Sequence, residues 1–487
     1  MALIPRRNQS SPAPQSPEWW LGKLSNELQS RQTQMDLMER YYTGEHPLPF
    51  LTKAHESKIR SEFRILLEDS RSNFMRLVVD AVEERMKVEG IRLSGSTDPV
   101  SDGPTWEIWQ ANHMDAESQS AFLEALIKGI SYFSVWKNDG DKYPTIAVED
   151  PTQTIVGYVP GSNYRQRAAA LKVWTDDWTG MRRANVFMPD GIYKFQRKAD
   201  STDSTNQTSQ PLSQQTQQPP WKQLDGTDGF LKNPLGIVPV VPMRNRPRVL
   251  IEGESELADV YRIQNQINGF LFLLAIAGYF GAHRQRWASG IALMEDDNGR
   301  PMEPFDSAVD KLWVAEDGDV KFGEFSATEL DGYIKSIEQK VLHIAVTSRT
   351  PRHYLFQEGQ SPSGDAIESA ESGLVAKSER KQRPWGESLE ETLGLARRFD
   401  GETNTPVDSE IIWGDAKTES IASVTDGVMK QFAGGLIPWE AALEKLGYTQ
   451  TQIQRFSKMR LADSLLQGIA NPEPPAPDKV VPPTVVA

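Results

Sequence analysis

Cysteine is absent from this 487-residue chain. Its absence excludes disulfide bonds, cysteine nucleophiles and cysteine-based zinc sites, and it fits folding in a reducing compartment. Catalytic signatures are missing too: there is no G-x-x-x-x-G-K-[ST] phosphate loop, no G-x-G-x-x-G and no G-x-S-x-G. The six histidines show no H-E-x-x-H or other ligand spacing. We therefore predict no catalytic residues, no cofactor and no bound metal, and we do not expect an enzyme.

Long hydrophobic runs are also missing. The most apolar run, at 269–282, reads GFLFLLAIAGYFGA and is shorter than the roughly 20 residues that span a bilayer. It is better interpreted as a buried helix. The first residues, MALIPRRNQSSPAPQSPEWW, contain no apolar core of a signal peptide. We expect a protein that is neither secreted nor membrane-spanning.

Basic residues are fewer than acidic residues, so the formal net charge is -14. A protein that grips DNA neutralises phosphates with Lys and Arg, so an acidic total argues against tight DNA binding. Two interpretations stay open, which are simple solubility and a channel wall along which a polyanion can slide. Two interpretations also stay open for the acids at 295–297, which could form a solvated turn or a site for a divalent ion.

The first half of the chain changes from helical to strand-like patterning near Ile130. Helical periodicity appears at 19–44, 72–89, 105–112 and 117–130, with Gly44 as a stop signal for the first segment. Alternating β-branched and aromatic residues then predict strands. These strands are Tyr132–Trp136, Thr145–Val148, Thr154–Val159, Ala168–Trp174, Arg183–Phe187, Ile192–Gln196 and Ile237–Met243. The Gln/Ser-rich segment 199–220 is low in complexity and predicts an exposed loop.

The second half consists of long helices around a compact, acidic, strand-like insert. A helix is predicted over 255–286 with Ser255 as its N-cap and Glu256 in the first turn, where the helix dipole favours an acid. Short strands and turns follow at 287–324, and another helix at 329–346. After a polar loop, a long helix begins near Asp365, with a kink expected at Pro384. A strand at Ser409–Trp413 and a small helical unit at 418–468 complete the pattern.

The order of parts from 255 to 399, which is helix, insert, helix, loop and long helix, resembles the portal protein of tailed double-stranded DNA bacteriophages of the siphovirus type. The stretch Ser348–Phe399, SRTPRHYLFQEGQSPSGDAIESAESGLVAKSERKQRPWGESLEETLGLARRF, carries much of this resemblance. The segments 41–50 and 73–92 also look like the opening of such portals. The resemblance covers about 19–465, and the insert at 199–220 departs from it.

The resemblance implies an α+β portal fold with wing, stem, clip and crown regions, assembled as a ring around a central channel. The implied divisions are a disordered arm 1–18, wing 19–254, stem helix 255–286, clip 287–324, second stem helix 325–347, tunnel loop 348–364, long wing helix 365–400, wing strand 401–417, helical crown 418–469 and disordered Pro-rich tail 470–487. The function implied is a head–tail connector at one capsid vertex, through which DNA is packaged and ejected.

The resemblance also implies site residues and partners. The expected DNA-channel residues of the tunnel loop are Gln357, Glu358, Gly359, Gln360, Ser361 and Ser363. Possible channel or subunit contacts are His283, Arg284, Arg286, Arg349 and Arg352. The clip acids expected to dock terminase and adaptor are Glu295, Asp296, Asp297, Glu303, Asp306, Asp310, Glu316, Asp317 and Asp319. The acids could equally form a solvated turn region, and the arginines ordinary salt bridges.

The implied partners are eleven further copies in a homododecamer, double-stranded DNA without sequence preference, the large terminase, a head–tail adaptor, and the major capsid and scaffold proteins, with no membrane. The implied location is the virion, with host cytoplasm during assembly. Two alternatives remain from the sequence: a capsid-associated minor head protein without a closed ring, and a metal-dependent nucleic-acid enzyme, which the missing motifs argue against.

Overall fold

The computed structural model describes residues 12–48, 61–93, 103–199, 220–282, 286–290, 320–324, 329–356, 364–402, 409–417, 421–448, 452–453 and 455–460. The chain divides into two compact units. The first comprises Met1–Ser361 with Ser369–Ala416, and the second comprises Pro362–Glu368 with Lys417–Ala487. Helices and antiparallel sheets are mixed along the chain, so the predicted α+β class is confirmed.

The first helix, α1 (Pro17–Thr43), shows why its ends fall where they do. The Ser16 side chain accepts a hydrogen bond from the Trp19 amide (3.2 Å), and proline occupies the first turn. At the other end Gly44 adopts φ +86°, so the predicted stop is confirmed. The further helices are α2 (Ser61–Asp69), α3 (Met75–Glu83), α4 (Gly103–Ala111), α5 (Met114–Lys128), α6 (Tyr261–Ala282), α7 (Asp331–Ser348), α8 (Arg352–Leu355), α9 (Gly364–Phe399), α10 (Ile421–Ala433) and α11 (Trp439–Lys445).

The strands form separate antiparallel sheets. Their bounds are β1 (Val88–Leu93), β2 (Ile130–Trp136), β3 (Thr145–Glu149), β4 (Thr154–Tyr158), β5 (Arg167–Asp176), β6 (Met181–Phe187), β7 (Gly191–Lys198), β8 (Lys222–Gln223), β9 (Phe230–Lys232), β10 (Val240–Arg244), β11 (Arg286–Ser289), β12 (Lys321–Glu324) and β13 (Ser409–Trp413). The largest sheet has the order β4-β5-β6-β7-β8, with β9 also on β7; others are β10-β2-β3, β1-β13 and β11-β12. The strands predicted between Tyr132 and Gln196 are confirmed with small shifts at their ends.

Two buried clusters show how helices and sheets are joined. The large cluster includes Phe122 of α5, whose ring stacks on Trp385 of α9 with centroids 5.1 Å apart. The Trp385 indole N–H also donates to the Arg244 carbonyl at 2.9 Å, which attaches α9 to the end of β10. A second cluster packs Leu21 and Leu24 of α1 against the β4–β7 sheet. The contacts of Trp385 therefore hold α9 against α5 and the end of β10.

One sequence-based boundary is wrong because of a distant partner. The helix predicted over 72–89 ends at Glu83, and Val88–Leu93 instead forms β1. This strand pairs with β13, whose Ile411 lies opposite Ile91. The helical periodicity is local, whereas the pairing partner lies more than 300 residues away in the chain. Tertiary pairing therefore overrides the local pattern.

The start of the helix predicted over 255–286 is also different. The helix α6 begins at Tyr261, and 256–260 form turns. The Ser255 hydroxyl accepts from the Leu257 amide at 3.1 Å, so it stabilises a turn rather than capping this helix. At its other end α6 stops at Ala282, and Arg286 begins a strand.

The long helix α9 begins one residue before its predicted cap. It starts at Gly364 and ends at Phe399, so Asp365 lies within the first turn instead of capping it. Pro384 lies inside the helix, which continues through it; the kink expected there stays a prediction. Gly447 adopts φ +84° after α11, the left-handed conformation that favours glycine at the end of a helix.

The glycine after α5 makes a close backbone contact that generates a prediction. Gly129 has φ +90°, and a Cβ there would lie 2.9 Å from the Glu254 carbonyl carbon. We expect Gly129→Ala to lower the free energy of unfolding by about 2–4 kcal/mol, through strain and the clash. Gly140→Ala is the matched control, because Gly140 has φ +94° with nothing within 4 Å. Equal losses in urea unfolding would contradict the contact argument.

Candidate functional site: the helical hairpin and the loop that follows it

The helices α6 and α7 pack against each other, and in the sequence they stand on either side of the insert 287–324. The base of this insert is a two-stranded ribbon, in which Arg286 of β11 lies opposite Glu324 of β12. Gly323 lies against the Trp287 indole, and a Cβ there would meet the ring at 2.4 Å. The ribbon therefore begins directly beyond α6 and holds the two ends of the insert together.

The first half of α6 is anchored by polar groups. Gln264 and Asn268 are fully buried; Gln264 donates to the Ser72 carbonyl at 2.9 Å, and Asn268 accepts from the Ser72 amide at 3.1 Å. The Asn268 amide lies 2.6 Å from the His46 ring nitrogen. Burial, helped by Arg71 and Arg40, lowers the pKa of His46 to about 4, which keeps the ring neutral at neutral pH.

The second half of α6 is apolar and poorly covered. After Arg262 the helix carries no charged residue, yet from Phe270 onward its described side chains are half-buried or exposed. Leu273 is 40% exposed and Tyr279 is 43% exposed. Of the helices in the described part of the chain, none is long and apolar enough to cross a membrane. Such a surface stays in water only at a cost in free energy, so it indicates an unoccupied contact.

The first flank of the loop after α7 is held by backbone contacts. Arg349 ends α7 with φ +57°, and the Thr350 amide donates to the Ala345 carbonyl at 3.0 Å. The Lys377 ammonium of α9 donates to the Ser348 carbonyl at 2.7 Å. This lysine of α9 satisfies a carbonyl at the C-terminal end of α7, which has no partner inside its own helix.

Nearer the loop, the same flank is held by a buried network around Glu371 of α9. The Arg85 guanidinium donates to Glu371 at 3.1 Å and to the Tyr354 hydroxyl at 2.8 Å. That hydroxyl donates to the other Glu371 oxygen at 3.1 Å. Burial raises the pKa of Tyr354, so the phenol stays protonated and can donate. The segment that precedes 357–363 is thus attached at two places to α9, the helix that follows this loop.

A buried carboxylate joins α9 to the segment before α6. Glu256 makes ion pairs at 2.6 Å with both Lys377 and Lys381, and Lys381 also donates to Asn245 at 2.5 Å. Burial by itself raises the pKa of Glu256, but the two ammonium groups outweigh burial and leave that pKa well below its ordinary value. The carboxylate is therefore ionised throughout the neutral range.

The structure places only some of the predicted site residues. The predicted tunnel-loop residues (Gln357, Glu358, Gly359, Gln360, Ser361, Ser363), the clip acids and His283 and Arg284 lie outside the described residues. Arg349 is exposed at the end of α7, and Arg352 lies with its guanidinium 5.6 Å from the Phe356 ring centre. Among the residues that are described, no group of His, Asp and Glu could hold a metal ion.

Sequence reasoning missed the residues that hold the loop, which are Arg85, Tyr354, Glu371, Lys377 and Lys381. Only one weak signal was available. Lys377 and Lys381 are four residues apart and so share a helix face. The sequence around their common partner Glu256 indicates only an acid that complements a helix dipole, because burial of the side chain cannot be seen in the sequence.

Comparison with known proteins gives consistent matches. Residues 21–463 match the family described as phage portal protein, SPP1 Gp6-like. The chain is 28% identical over 399 residues to the portal protein of Mycobacterium phage D29, covering 77% of this chain and 76% of that protein. It is 28% identical over 397 residues to the portal protein of Mycobacterium phage L5, with the same coverage.

The Glu256 ion pairs generate a prediction on stability. Glu256→Gln leaves two buried ammonium groups without their carboxylate, and we expect a loss of about 3–5 kcal/mol in the free energy of unfolding at pH 7. Urea unfolding measures the loss. Glu379→Gln, an exposed position on the same helix as the two lysines, is the matched control and should change stability little.

The same ion pairs predict a pH dependence. The pKa of Glu256 is lower in the folded chain than its ordinary 4.5, so the unfolded chain binds its proton first as pH falls. Its contribution is therefore fully present above about pH 5 and is lost on acidification below about 4.5. The Glu256→Gln variant should show a flatter stability–pH curve in this range, and an unchanged slope would contradict the assignment.

Proposed function

The chain belongs to the SPP1 Gp6-like phage portal protein family, and from this premise we propose that twelve copies form a ring with a central channel for double-stranded DNA. Members of this family are structural proteins and not enzymes, and they are components of the virion at a capsid vertex. The chain is accordingly a structural phage portal protein. The stoichiometry, the regions and the partners named below are our proposals.

The observation that carries the ring proposal is the uncovered apolar half of α6. Within the described part of its own chain, Leu273 and Tyr279 remain 40% and 43% exposed, and Ile334 on α7 remains 44% exposed. Head-to-tail contacts between identical subunits close into a ring when the rotation closes. In such a ring the α6–α7 hairpin of each copy covers the apolar surface of the next.

The regions follow from this arrangement. The α6–α7 hairpin, within 255–286 and 325–347, is the stem. The insert 287–324, which has the β11–β12 ribbon at its base, is the clip. Residues 348–364 are the tunnel loop, 365–400 and 401–417 belong with the wing at 19–254, and 418–469 form the crown. The attachment of the preceding flank to α9, the helix that follows the loop, supports the tunnel-loop proposal, because a loop that faces moving DNA needs a fixed base.

The partners are assigned by charge and position. DNA passes the tunnel loop without sequence preference. The net charge of -14 does not favour tight binding to phosphate groups. The clip acids dock the large terminase during packaging and a head–tail adaptor afterwards, by complementing basic patches. The outer wing contacts major capsid and scaffold proteins, and assembly takes place in the host cytoplasm.

A test of the ring uses the exposed face of α6. Leu273→Asp with Tyr279→Asp introduces charges that would be buried between subunits, so we expect folded monomers instead of rings. Electron microscopy and the assembly mass of the same sample measure this outcome. Trp178→Asp, at a 98% exposed position on a strand hairpin, is the control and should still form rings. A wild-type dimer or tetramer without a channel would contradict the proposal.

A separate prediction concerns the tunnel loop. Deletion of Gln357–Ser363 should leave ring assembly intact, because the flanking anchors at Tyr354 and Glu371 remain. DNA packaging or retention should fall, measured as the DNA content of assembled heads. Normally filled heads from the deletion variant would remove the tunnel-loop assignment.

A further inference from the structure

A cleft of about 740 Å³ opens between the segment before α6, the end of α7 and the middle of α9. Eight basic and three acidic side chains line it. This local excess of positive charge stands out in a chain whose net charge is -14. A concentrated positive field inside an acidic protein attracts an anionic group.

Most of the charged groups in the cleft are already paired. Glu256 is held by two lysines, Arg246 pairs with Asp259 at 2.9 Å, and Arg248 lies 3.6 Å from Glu254. All three acidic residues of the cleft therefore already have basic partners. The ligand must therefore be recognised by the basic groups that remain.

Three arginines at the rim remain available. Arg349 at the end of α7 and Arg380 and Arg383 on α9 are exposed, and none has an ion pair with any residue that the structure describes. Arg380 and Arg383 are three residues apart, so their side chains share a helix face. Guanidinium groups bind carboxylates through two parallel hydrogen bonds, which makes the rim suited to acidic side chains.

Aliphatic side chains beside the cleft indicate a protein ligand. Val249 and Leu250 follow the cleft residue Arg248 and are 72% and 79% exposed. Val346, on the last turn of α7 beside the cleft residue Thr347, is 71% exposed. A DNA backbone offers these side chains no apolar partner. A protein surface that combines carboxylates with apolar groups satisfies both features.

We propose that this cleft is a socket between subunits, in which Arg349, Arg380 and Arg383 of one copy bind carboxylates of the adjacent copy. The inference rests on the ring proposed above. In a head-to-tail ring each subunit meets its neighbour through two different surfaces, so a basic socket on one side pairs with an acidic surface on the other. Acidic residues outnumber basic ones by 67 to 53, so each copy has an excess of carboxylates from which such a surface can be formed.

The test compares two double variants with the same change in charge. Arg380→Gln with Arg383→Gln removes two rim cations, while Arg64→Gln with Arg398→Gln removes two exposed arginines outside the cleft. The protein concentration at which half of the chains are in rings is measured by mass photometry. We expect the cleft variant to raise it about tenfold or more, and the control to leave it within about twofold. Circular dichroism confirms that both variants fold.

Leu250→Ser provides a variant independent of charge. We expect it also to weaken assembly, and its 79% exposure argues against an effect on folding. Equal assembly of wild type and both cleft variants would overturn the socket. Intact rings of the Arg380/Arg383 variant that have lost binding of a short duplex DNA would instead identify DNA as the occupant. Absence of rings in the wild type would remove the ring proposal and the socket with it.

Cross-linking identifies the contact directly. Arg380→Lys keeps the positive charge and adds an amine, which a carbodiimide joins to a carboxylate in contact with it. Rings are assembled from equal parts of ¹⁴N- and ¹⁵N-labelled chains of this variant. Mixed-isotope peptides that contain the substituted position 380 are expected, and they locate the acidic residues of the neighbour. Cross-links found exclusively within one chain would contradict the proposal.

Discussion

The buried carboxylate of Glu256 is the interaction on which the arrangement of the site depends. It binds Lys377 and Lys381 at 2.6 Å each, and so joins the segment that enters α6 to α9. Lys377 also donates to the last residue of α7, Ser348, so the same helix positions both ends of the hairpin. A buried ion pair adds little net stability over apolar packing, but it permits only arrangements in which each charge meets its partner. The network therefore favours arrangements in which Glu256 keeps both lysine partners.

Around the Glu256 ion pairs, some polar and apolar groups have partners within the chain and others do not. The polar groups at the start of α6 are hydrogen-bonded, including the buried side-chain amides of Gln264 and Asn268. The apolar half of the same helix and the rim arginines of the cleft have no comparable cover within the described part of the chain. Uncovered surfaces that are carried by well-anchored elements are suited to assembly, because little conformational freedom of those elements remains to be lost on binding.

The electrostatics of the chain fit a conduit more closely than a DNA-binding protein. Overall acidity limits adhesion of a polyanion, while positive charge is concentrated in a cleft that also carries aliphatic neighbours. In the proposed ring, this concentrated positive charge lies at the contact between subunits.

The sequence by itself determined the α+β class, most strands between Tyr132 and Gln196, the end of α1 at Gly44, and the order of parts that indicates a portal protein. These features depend on periodicity and turn chemistry, which are local properties of the chain. Tertiary structure alone decided that 88–93 is a strand and that Glu256 is a buried ion-pair partner. Both depend on residues more than a hundred positions away, because pairing and burial are properties of the folded whole.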